Sequence, residues 1–123
     1  MQPTFGHGKI CYLEIPASNI QTSADFYKNV FHWNIRTRSD GSTSFDDGVG
    51  QVSGVWTLTR KPQDHPTLGI AIHIMVDNAE STLASITNHG GQIIQLIGAD
   101  HPEITAKFRD PAGNILGIYQ NPA

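Results

Sequence analysis

Two stretches of the chain repeat one order of apolar and polar positions. "LEIPASNIQTSADFYKNVFHW", from Leu13, and "IHIMVDNAESTLASITNHGGQ", from Ile72, align with Leu13 on Ile72. Each opens with alternating residues that predict a strand, and each continues with apolar residues at helical spacing. Ile20, Ala24, Tyr27 and Phe31 form one helical face, and Ala79, Leu83, Ile86 and Gly90 occupy the same slots in the second stretch. Ser18 with Gln21, and Asp77 with Glu80, have the spacing of capping boxes, so both helices are expected to start at equivalent places. Gly90-Gly91 ends the second helix.

After each helix come short alternating runs separated by turn signals. These are Ser39-Asp40-Gly41 and Asp46-Asp47-Gly48 in the first half, then Gly98 to Pro102 and Asp110 to Gly113 in the second. In "DPAGN", Pro111 pre-sets φ and Gly113 takes the left-handed position of a turn. The predicted unit is strand, helix, strand, strand, strand, with "KPQDHP" (Lys61 to Pro66) as the linker. A module of about 60 residues buries too little apolar surface to be comfortable alone. The expectation is therefore one α+β domain over residues 1–123, built from two βαβββ modules at about 8–60 and 67–121. The modules should form a curved mixed sheet with helices on its outer face.

Strand alternation then sorts side chains into faces. Ile70, Ile72, Ile74 and Val76 form an aliphatic face that helices should cover, which leaves Gly69, Ala71, His73 and Met75 on the concave side. In the first strand Cys11, Leu13 and Ile15 are the covered set, so Tyr12 and Glu14 face the concavity. Glu14 and His73 are equivalent in the repeat and are expected to line one pocket. A carboxylate beside an imidazole can act as acid and base, anchor a substrate, or serve as a structural pair. A charge in a mostly apolar strand requires a partner. Tyr12, Trp56 and Tyr119 are expected as pocket walls, while His7, His32, His65, His89 and His101 fall in termini, helix ends or loops and read as solvated.

Composition narrows the partners. The chain has 8 basic and 11 acidic residues, a net charge of −3 and no charge blocks, which leaves no footprint for nucleic acid or an anionic membrane. The single cysteine, Cys11, excludes an internal disulfide and reads as a small packed hydrophobe. Without an apolar leader or a run of membrane-spanning length, the cytoplasm is the expected address.

The doubled module, with "EIPASNIQTSADFYKNVFHW" near the start and "FRDPAGNILGIYQ" at the end, resembles the vicinal oxygen chelate superfamily. Glyoxalase I, bleomycin-resistance proteins and extradiol dioxygenases share that fold. The resemblance covers nearly the whole chain, and it implies a divalent metal held by His, Glu or Gln from the first and last strands of each module. At those places this chain carries Tyr12, Ala71 and Gly117, and "VSGVWTLTR" (Val52 to Arg60) has no His, Asp, Glu or Cys. No metal or other cofactor is therefore expected at the conventional site. The resemblance implies a small organic ligand in the concave sheet and a homodimer that completes the cavity. Three functions stay open: an enzyme using Glu14 and His73, a sequestering protein of the resistance type, and a metal-dependent lyase or dioxygenase with unconventional ligands.

Overall fold

The computed structural model describes residues 2–123. The chain divides into two compact units, one ending at Lys61 and the other starting at Pro62. The first unit runs β1 (Tyr12–Pro16), α1 (Ile20–Phe31), β2 (Asn34–Thr37), β3 (Thr43–Asp46) and β4 (Ser53–Thr57). The second runs β5 (His73–Val76), α2 (Ala79–Asn88), β6 (Gln92–Gln95), β7 (Thr105–Arg109) and β8 (Ile115–Gln120). Each unit holds a four-stranded mixed sheet, ordered β1-β4-β3-β2 and β5-β8-β7-β6. The first strand of each unit pairs parallel with the last, and the other pairs are antiparallel. This is the expected α+β arrangement of two βαβββ modules. Among the described residues no helix is long and apolar enough to cross a membrane.

Both helices start one residue later than the capping-box spacing predicts. Asn19 Oδ1 accepts the N–H of Thr22, and Asn78 Oδ1 accepts the N–H of Ser81, each at 2.9 Å. An asparagine amide oxygen is among the best acceptors for the orphan N–H groups of a first turn. The two asparagines occupy the same slot of the repeat, so the equivalence of the helix starts holds although the capping residues differ.

The cores of the two units differ in character. In the first, Tyr27, Trp33, Phe45 and Trp56 pack ring on ring, with centroids 4.6 Å apart for Tyr27 and Trp33, 4.5 Å for Trp33 and Phe45, and 4.8 Å for Phe45 and Trp56. Gly54 makes this possible, because it pairs with both Leu13 and Phe45 on the helix-covered face. A Cβ there would overlap the Leu13 carbonyl oxygen and stand 2.5 Å from Phe45 Cζ. The second core is largely aliphatic: Ile86 of α2 and Ala106, Phe108 and Ile118 of the sheet are fully buried.

One strand is shorter than its alternation suggests. β5 begins only at His73, and Ile70 is 82% exposed, so only Ile74 and Val76 remain of the expected aliphatic face. The Gln63 side-chain amide donates to the carbonyls of Leu68 and Ile70, and Gly69 has a φ of 59°. The chain before His73 therefore curls around Gln63 instead of continuing the strand. At the other end of the unit, "DPAGN" forms the expected turn. Asp110 Oδ1 accepts the N–H groups of Ala112 and Asn114, at 3.0 and 2.9 Å, and Gly113 is left-handed at 95°.

Replacing Gly54 by alanine should lower stability by about 2 kcal/mol or more, because both the β1 carbonyl and the Phe45 ring must move. Urea unfolding monitored by tryptophan fluorescence checks this. A midpoint equal to that of the parent protein would contradict the packing described.

Candidate functional site

The face of the second sheet opposite α2 is set by the registers of β5, β7 and β8. His73 pairs with Gly117, and Gly117 pairs with Lys107, so these three positions lie side by side across the sheet. Met75, Tyr119 and Thr105 form the next row. Ile74, Ile118 and Ala106 alternate with them and point into the core, as period-2 geometry requires.

Gly117 is where the side chains of this face meet. A Cβ on it would overlap Cδ2 of His73 and stand 2.6 Å from Nε2. The imidazole lies across the β8 backbone, in the space any other residue at position 117 would fill. Around it is a cavity of about 80 Å³, open on one side and walled by the segment that curls before β5, with His65, His73, Gly117 and Lys107 among its lining. The N–H of Thr67 donates to His65 Nδ1 at 3.2 Å, so the neutral His65 ring carries its proton on Nε2. His65 is exposed, as the sequence reading expects, and also lines this pocket.

The remaining candidates have distinct surroundings. Glu14, on β1 of the first unit, accepts a hydrogen bond from Arg60 Nε at 2.9 Å, and this ion pair answers the charge in that strand. Tyr12 is 44% exposed on the same strand. Trp56 corrects the sequence expectation: it is 3% exposed within the aromatic core, on the helix-covered face it shares with Gly54, and so does not wall an open pocket. Among the described residues its Nε1 has no hydrogen-bond partner. Tyr119 does lie on the open face, where its hydroxyl donates to Glu103 Oε2 at 2.9 Å. That hydrogen bond, reinforced by the Glu103 charge, raises the phenol above its usual value. Cys11 is exposed, contrary to the packed position expected for it, because β1 begins only at Tyr12.

The first sheet carries a polar network of its own. Asp46 accepts from Arg36 Nε and Nη2, both at 2.9 Å, from Ser53 Oγ at 2.8 Å and from Asn34 Nδ2 at 3.2 Å. Partial burial raises the Asp46 carboxyl, but the donors from Arg36, Ser53 and Asn34 and the guanidinium charge outweigh it and hold the group below its ordinary value.

The sequence matches the family model described as the glyoxalase/bleomycin resistance protein/dioxygenase superfamily over residues 9–118. The chain belongs to that superfamily. A glyoxylase-like domain-containing protein of Didymella fabae is 25% identical and aligns with 94% of this chain and 96% of its own length. Among solved structures, a family enzyme from Burkholderia phytofirmans PsJN shares the fold at a TM-score of 0.69 and 19% identity, covering 89% of this chain and 95% of that one. TnmS3, an antibiotic binding protein from Streptomyces sp. CB03234, has a TM-score of 0.69 and 17% identity, with 95% and 98% covered.

The superfamily's usual metal can be tested against these residues. Tyr12 offers a phenol, Ala71 offers nothing, and at Gly117 the His73 ring takes the space a carboxylate side chain would need. β4 contributes only hydroxyl, aliphatic, glycine and indole side chains. Among the described residues no three His, Cys, Asp or Glu side chains gather around one point. This donor set does not suit the divalent centre built from His, Glu and Gln.

Two outcomes follow from the geometry. Gly117→Ala should dislodge the His73 imidazole and move its ring proton resonances, and unchanged ring shifts would contradict the contact. For Asp46, whose folded pKa is lowered, the stabilisation is complete above the unfolded value of about 4 and is lost as pH falls through the folded one. Asp46→Asn should accordingly narrow its stability deficit only on the acid side. A deficit that stays constant across the acid range would contradict that role.

Proposed function

We propose that this protein binds a small organic molecule in the pocket beside β5 and β8, and that it does so without the superfamily's usual metal centre. One observation carries the reading: His73 lies on Gly117 as part of a pocket lining, at a strand position where the metal enzymes need a side chain. A half-enclosed cavity with a few convergent polar groups is the ordinary form of a ligand site. Sequestration is the favoured role. Glu14 is occupied by Arg60, and His73 has no hydrogen-bond partner among the described residues that would orient it as a base. Another protein of the fold, TnmS3, is an antibiotic binding protein, which fits the same reading.

The reading includes a homodimer. β1 and β5 are edge strands, and Tyr12 and Met75 on them are 44% and 62% exposed. Open edges carrying apolar side chains are commonly covered by a second copy.

A thermal-shift screen of metabolites and aromatic compounds, followed by calorimetry, tests the binding role. His73→Gln should weaken the best ligand by about 1–2 kcal/mol while the fold persists, since a hydrogen bond at a partly exposed site contributes on that order. Unchanged affinity with a lowered melting temperature would make His73 structural. Light scattering at tens of micromolar protein should give twice the 13.4 kDa chain mass, and a monomer would count against the dimer.

A further inference from the structure

We infer that the pocket takes the acid group of its ligand, a carboxylate or phosphate, against Lys107, His65 and His73. This deepens the proposed function and rests on the reading of that pocket as the ligand site. The argument is one of local charge. Lys107 stands on β7 opposite Gly117, half-buried, and lines the same cavity as the two imidazoles. No carboxylate of this chain pairs with it among the described residues, where the ion pairs are Arg36 with Asp46 and Arg60 with Glu14, both in the first unit.

The neighbouring groups point the same way. Arg109 follows Lys107 along the same face of β7, and its Nη1 donates to a backbone carbonyl, that of Asp64, at 3.2 Å. Glu103 and Asp100 are engaged at the far end of this sheet by the Tyr119 and Thr105 hydroxyls, Asp110 is engaged in its own turn by Asn114, and Asp64 flanks the pocket segment without lining the cavity. His65 Nε2 carries the proton of the neutral ring, because Nδ1 accepts from Thr67. The pocket lining thus supplies an ammonium and an imidazole donor, while its lining residues include no Asp or Glu. A cavity of about 80 Å³ suits a single acid group, with the rest of the molecule in the open mouth.

The test uses probes of one shape and three charges, benzoate, benzamide and benzamidine, together with inorganic phosphate. Each is titrated into the full chain at low salt and followed by the amide and ring resonances of Gly117, Thr67, His65 and His73. Benzoate or phosphate should bind at least about tenfold tighter than benzamide and benzamidine, the factor expected when a charge-assisted hydrogen bond replaces a neutral one. Lys107→Gln should abolish that preference and Lys107→Arg should keep it. If Lys107→Gln fails to fold, the preference in the parent protein and in Lys107→Arg decides. Benzamide or benzamidine binding equally well at the same residues would overturn the acid-group inference and leave the site standing. Failure of every probe and every screened compound to shift these resonances would overturn the site itself.

Discussion

The parallel pairing of β5 with β8 sets His73 directly opposite Gly117, and the imidazole then lies across the glycine's backbone. Glycine is needed here for space and not for an unusual dihedral: any Cβ would run into the ring. The same contact removes the side chain that a metal site would require from the last strand, and it makes an imidazole part of the pocket lining. Lys107, opposite Gly117 on the adjacent strand, completes a row of an imidazole, a bare backbone and an ammonium. The character of the open face thus follows from one register and one missing Cβ.

Much of the fold was legible because its signals are local and occur twice. The repeat placed both helices correctly, and "DPAGN" turns as its Pro and Gly require. The errors lie where a side chain competes with the backbone pattern. "GIAIHIMV" alternates like a long strand, yet the Gln63 amide holds the carbonyls of Leu68 and Ile70, so pairing starts only at His73. The helix caps moved by one residue because Ser18 and Asn19, and Asp77 and Asn78, are adjacent good caps, and spacing alone does not choose between them.

The site was legible in part, for a similar reason. His73 was placed on the open side by alternation, and the structure puts it there. Trp56 is misread as a pocket wall although Val52, Gly54, Trp56 and Leu58 alternate with Ser53, Val55, Thr57 and Thr59, which already marks its face as the apolar one. The structure adds that Gly54 on the same face yields its volume to Phe45, through the pairing of β3 with β4. Lys107 and His65 were missed as pocket residues. A lysine on a short strand and an exposed histidine in a linker carry no sequence mark of a shared pocket, which arises from register and loop path. The alternation of Thr105, Lys107 and Arg109 was the available signal, readable only with β8 alongside.

The central claim is that the His73 ring occupies the space above Gly117. A nuclear Overhauser measurement on the ligand-free protein tests it most directly, because Cδ2 is the ring atom nearest the missing Cβ. The account predicts a strong cross-peak between His73 Hδ2 and the Gly117 α-protons. A ring with no cross-peak to Gly117 would contradict it, and would leave position 117 open rather than filled.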